Sequence, residues 1–196
     1  MKIVQYPHPA LRHKARPPTA IDKQVQLQAG EMLDLMNEAN GLGLAANQVV
    51  LPYQIIVLNL KLLLDDPNRP AEEGVYLNPV ILERGGGLVE GEEGCLSFPE
   101  LFQKVRRSKT VRVRAYNLRG ESLEIQANDL VARVWQHEVD HLQGVLFIDK
   151  MGPVAKLASR GALKDFEREF RKAQERGEIP ADADMKRYLK EMGFDD

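Results

Sequence analysis

A chain of 196 residues, 43% hydrophobic and 29% charged with 15 glycines and 11 prolines, is long enough for one domain with a proper core, and its composition excludes collagen-like, disordered and disulfide-scaffold classes. Its 27 basic and 29 acidic residues leave a formal net charge of −2, so there is no whole-protein field to grip DNA, RNA or an anionic membrane, and any such contact must be local. The longest apolar run, around Ile55 to Leu58, is far short of the roughly 18 residues a bilayer span needs, and the start from Met1 to Pro7 has neither a secretory nor a transit-peptide pattern, which leads to the expectation of a cytoplasmic chain.

From Ile21 to Ala39, apolar Val25, Ala29, Met32, Met36 and Ala39 recur at steps of three and four, which predicts an amphipathic helix stopped at Gly41. The small residues of Gly41 to Gln48 predict a tight loop, and Tyr53 to Leu58 a buried strand. Asp65 to Pro70 is turn chemistry. Val75 to Leu82 predicts a strand that Pro79 restricts to an edge or a bulge. A loop rich in Gly and Glu is expected next, ending at Cys95. Thr110 to Tyr116 alternates as a half-solvated antiparallel strand, Asn117 to Gly120 reads as a turn, and Ser122 to Ile125 as its return strand. A second helix is expected from an N-cap at Asp129 to Leu142, ended by Gly144. A third carries Leu163, Phe166 and Phe170, and a short amphipathic piece follows Pro180. Strands before and between helices without a βαβ rhythm indicate an α+β fold with mainly antiparallel pairing, one domain over residues 1–196, with the second helix at its centre and further helices towards both ends.

The second helix carries His137-Glu138-Val139-Asp140-His141. Positions i and i+4 share a helix face, so both histidines reach one ion while Glu138 stands beside its open position, the H-E-x-x-H arrangement. Two ligands leave a third to be found. No histidine follows His141, so a zinc peptidase would need Glu167 or Glu169, both in a charge-dense helix. The other candidate is Cys95, the sole cysteine, in the loop Glu92-Glu93-Gly94-Cys95-Leu96-Ser97. A Cys/His structural module would need a fourth ligand, and only His8 and His13 remain, distant in sequence.

Three ordered motifs, G-L-G-L-A-A-N-Q over Gly41 to Gln48, E-G-C-L-S over Glu93 to Ser97 and H-E-V-D-H over His137 to His141, together with the opening Gln5 to Arg12, closely resemble the peptide deformylases over roughly residues 1–150. The resemblance implies that Cys95, His137 and His141 bind one divalent metal, Fe(II) in this family, with Zn, Ni or Co able to occupy the same site. It implies that Glu138 takes a proton from water, and that the side-chain amide of Gln48 and the backbone N–H of Leu96 stabilise charge developing on the formyl oxygen. Leu42, Gly43 and Gly94 would pair with the peptide backbone, Leu130, Arg133 and Val134 would line the pocket for the methionine side chain, Glu93 and Arg107 would form an ion pair bracing the cysteine loop, and Asp140 would support the site without being a ligand.

The expected activity is removal of the formyl group from N-formyl-methionyl nascent peptides by a monomeric enzyme, with the ribosome near the tunnel exit as a partner and no membrane or specific DNA. Two departures stand out. Arg133 occupies a position generally apolar in the family, where it either narrows and polarises the pocket or packs its aliphatic stem and sends its guanidinium to solvent or a nearby carboxylate. Phe102 stands where many members carry an arginine. The basic stretch Lys104, Arg106, Arg107, Lys109, Arg112, Arg114 and Arg119 reads as a solvated strand face or a local contact for ribosomal RNA.

Overall fold

The structure, a computed structural model, describes residues 1–66, 68, 70 and 74–194. Strands β1 (Gly43–Ala45), β2 (Ile55–Leu58), β3 (Val75–Cys95), β4 (Phe98–Tyr116) and β5 (Ser122–Asn128) form one antiparallel sheet in chain order. Helices α1 (Lys23–Glu38), α2 (Leu60–Leu63), α3 (Asp129–Leu142), α4 (Phe147–Lys150), α5 (Pro153–Glu175) and α6 (Asp182–Glu191) surround it. The α+β expectation holds, with the helix bearing the two histidines, α3, packed on the sheet.

Alternation along the strands decides what each face holds. Ile56, Leu58 and Tyr76 point to the side of α3, where they join Val111, Val113, Ala132 and Trp135, with the Tyr76 and Trp135 rings 4.6 Å apart. Their neighbours Ile55, Val57, Val75 and Leu77 point the other way, onto Val25, Ala29, Met32 and Met36 of α1. The first helix begins two residues later than Ile21 because Asp22 caps it, its carboxylate accepting from Val25 N at 2.9 Å. The cap position of α3 is Asn128, one residue before the expected Asp129, and its side chain makes no capping bond. A third apolar cluster joins Leu11, Phe98, Leu101, Val105 and Phe147 to Phe166 of α5. On α6, Leu189 packs with Phe194 beyond its end on Ala10.

The stretch from Gly85 to Gly94 corrects the expectation of a loop. It is strand, the second half of β3, paired with β4 out to Cys95 opposite Phe98. Glycine and glutamate disfavour strand in isolation, but here register shifts take up Gly86 and Gly87, both at positive φ, and basic residues of β4 stand opposite the acids, Arg106 facing Glu90 and Lys104 facing Glu92. The shift between Leu77 and Val80 is the bulge expected at Pro79. Pro67 and Arg69 of the expected turn lie outside the described residues.

Candidate metal centre

β3 and β4 form one long hairpin whose turn is Leu96-Ser97, so Cys95 stands at the hairpin's end, where α3 passes with His137 and His141. Cys95 Sγ lies 3.2 Å from His141 Nε2, and one ligand atom from each of the three residues falls within 4.8 Å of the others. Both histidines are buried.

The surroundings fix how each ligand presents itself. His137 Nδ1 donates to Glu93 Oε2 at 3.0 Å, which leaves Nε2 for the centre. Burial alone would raise the pKa of Glu93, yet hydrogen bonds from His137 and Arg107 outweigh it and hold the carboxyl well below the usual range. Burial likewise opposes a charge on His137, but Cys95 and Glu93 outweigh it and raise its pKa to about 10. His141 goes the other way, well below the usual value, through burial and then the charge of His137. One thiol and two imidazoles whose ligand atoms converge fit a divalent ion of the Fe or Zn type.

Glu138 is buried, and its Oε2 has no hydrogen-bond partner among the described residues. Burial raises its pKa to about 7. Gln48, in the 3₁₀ turn Ala46–Val49 after β1, is buried too; its Oε1 accepts from Ala45 N at 2.9 Å, and its Nε2 donates to Ser97 Oγ at 3.1 Å and reaches Cys95 Sγ at 3.4 Å. Its amide is thus both fastened to backbone and aimed at the thiol.

A cleft of about 500 Å³ opens beside these residues. Its walls include Leu42, Gly43, Gln48, Gly94, Cys95, Leu96, Leu130, Arg133, Val134, His137 and Glu138, while His141 lies behind, deep in the cluster. Phe102, largely exposed, also lines the cleft. Arg107 pairs with Glu93 at 2.9 Å and with Asp140, so the expected brace is present and Asp140 stands outside the ligand set. Arg133 sends its guanidinium to Glu93, the second of the two alternatives for that residue. Glu167 accepts from Tyr6 Oη and Glu169 from Lys172 Nζ, both on the surface, which removes the carboxylate a zinc peptidase would need. The rings of His8 and His13 pack against Phe170 and Phe194, so neither closes the site as a fourth ligand.

Sequence reasoning missed two supports. Asn47 Nδ2 donates to the His141 carbonyl, tying the turn that carries Gln48 to the end of α3, and Ser97 anchors the Gln48 amide. Both lie inside the motifs, where a polar residue beside a ligand was the available signal.

The pattern of the polypeptide deformylase family matches residues 1–157. The chain belongs to the peptide deformylase family. A peptide deformylase of Rhodopirellula baltica is 41% identical over 188 residues, 94% of this chain and 90% of the relative. That of Nitrosococcus oceani is 43% identical over 149 residues, covering 76% and 85%. Among solved structures, Plasmodium falciparum peptide deformylase superposes with a TM-score of 0.79 at 37% identity over 87% of this chain and 97% of that one. Arabidopsis thaliana peptide deformylase 1B in complex with an inhibitor superposes at 0.81 and 35%, over 93% and 97%. Alignment over 94% of the chain with the first relative carries the similarity into the region after residue 157, beyond the three motifs.

Proposed function

We propose that this peptide deformylase hydrolyses the N-formyl group of nascent formyl-methionyl peptides, releasing formate and a free amine, at one ion held by Cys95, His137 and His141. The observation that carries the reading is the convergence of those three ligand atoms within 4.8 Å beside the buried, partnerless oxygen of Glu138. We take the ion to be Fe(II) on the family's pattern, with Zn, Ni or Co as substitutes, since a thiolate with two imidazoles suits all four. When bound, it supplies Lewis acidity that makes water a nucleophile at neutral pH.

The chain's own residues do the rest. Glu138 takes a proton from the attacking water and returns it to the departing amine nitrogen, and a carboxyl whose pKa is near 7 is suited to both transfers. The Gln48 amide and the Leu96 backbone N–H meet the oxygen on which negative charge develops; the anchoring of Gln48 by Ala45 and Ser97 means that little reorganisation is needed. Leu42, Gly43 and Gly94 border the peptide backbone as strand edges, and Leu130 and Val134 receive the methionine side chain.

The same reading takes residues 1–196 as one domain, monomeric and cytoplasmic, with no membrane or specific DNA partner. Among the described residues no helix is long and apolar enough to cross a membrane. Ribosome contact near the tunnel exit belongs to this reading as the place where formylated chains are met.

The test is formate release from formyl-Met-Ala by protein loaded anaerobically with Fe(II), with Glu138→Ala as control. Activity that falls by about 10² to 10⁴ in the variant, with the metal still bound, supports both reaction and base. No release from folded, metal-replete protein overturns the reading.

A further inference from the structure

We propose that Arg133 is a positioning residue which, by holding Glu93 and both strands of the β3–β4 hairpin to α3, fixes the Glu93–His137 contact and so sets how tightly the ion is retained. This rests on the metal-centre reading above. Arg133 stands one turn before His137 on α3, with only 12% of its side chain exposed. Its Nη1 donates to Glu93 Oε1 at 2.7 Å and to the Val105 carbonyl at 2.9 Å, and its Nη2 to the Val89 carbonyl at 2.9 Å. One planar guanidinium therefore joins the helix to β3 twice and to β4 once. Room for it comes from Gly91, where a Cβ would lie 2.7 Å from Nη2 and 2.9 Å from Cζ.

Glu93 is the centre of the arrangement. Its Oε1 accepts from Arg107 Nε at 2.9 Å as well as from Arg133, and its Oε2 accepts from Arg107 Nη2 and His137 Nδ1, both at 3.0 Å. Each oxygen holds two donors, so the carboxylate has no freedom to turn away from His137. Charge points the same way. Arg107 also pairs with Asp140, which Lys150 approaches at 4.0 Å as well, so one guanidinium is shared between two carboxylates and Arg133 brings Glu93 a second cation of its own. Without Arg133, Glu93 Oε1 loses one of its two donors, the carboxylate gains freedom to turn towards water, and the His137 ring is held less firmly.

Arg133 also stands between the main cleft and a smaller cavity of about 300 Å³ under Val89 and Gly91.

The experiment follows Co(II), through its thiolate absorption band and its release to excess chelator, in the full chain and in Arg133→Met, Arg133→Lys, Glu93→Gln and the Glu93→Gln/Arg133→Met double variant. Release about 10-fold faster or more from Arg133→Met, a partial recovery in Arg133→Lys, and a double variant within about twofold of Glu93→Gln support the proposal. Release from Arg133→Met at the wild-type rate overturns it, as do effects of the two substitutions that multiply. Should Arg133→Met not fold, Arg133→Lys decides, and wild-type retention there overturns the proposal. A wild-type chain that takes up no Co(II) overturns the metal reading itself, and the role of Arg133 with it.

Discussion

Gly43 lies against Glu138 so closely that a Cβ there would stand 2.6 Å from the carboxylate Oε1. The backbone of β1 is thus one wall of the box that holds the Glu138 carboxylate, and the absence of a side chain is a requirement of contact. Gly43→Ala is expected to push Glu138 aside, lowering turnover by about tenfold or more and stability by about 1–3 kcal/mol, with metal content retained. Formate release alongside metal analysis checks this; unchanged turnover would show that Glu138 has room to spare.

Gln48→Leu removes an amide aimed at the reacting centre and leaves Ala45 N and Ser97 Oγ without a partner. Turnover should fall by roughly a hundredfold or more, about 3 kcal/mol of transition-state stabilisation, with the ion still bound. Near-normal kcat would reduce Gln48 to a backbone brace.

Cys95→Ser exchanges a soft sulfur for a poor hydroxyl ligand while Gln48 and His141 remain in place. One equivalent of metal should drop well below one after dialysis, and metal-dependent formate release should disappear with it. Full metal occupancy in the variant would exclude Cys95 from the ligand set.

His8 supplies a pH prediction outside the site. Burial lowers its pKa from 6.5 to about 4, and its Nδ1 accepts from Ala10 N at 3.2 Å. The unfolded chain therefore binds the proton first. The associated stability is present above about pH 6.5 and is lost as pH falls through about 4, up to roughly 3 kcal/mol. Urea midpoints at about pH 7.5 and pH 4 should differ less for His8→Gln than for the parent chain, and an equal difference in both would refute the assignment.

The three motifs made the grouping of Cys95, His137 and His141 and the placing of Glu138 and Gln48 beside them legible in the sequence, because each is a short run whose spacing matches a local geometry. What escaped was non-local. The strand from Gly85 to Gly94 looked like a loop because its glycines and acids have low strand preference, and only the facing β4 residues explain it. Arg133 stands one turn before His137, but its anchors, Val89 O, Glu93 and Val105 O, come from parts of the chain that helical spacing does not reach. The brace from Asn47 to the His141 carbonyl was hidden for the same reason.

The pairing of β4 with its neighbours changes the meaning of the stretch from Lys104 to Arg119. Read along the chain it is a cationic ribbon, but across the sheet Lys104 meets Glu90 and Arg112 bridges Glu83 and Glu124, and in the turn after β4 Arg119 holds Glu121. Around these pairs the surface alternates in sign, which weakens its field at a distance. Ionic strength should consequently act on how firmly this hairpin's edges are laced together far more than on attraction of a polyanion from a distance.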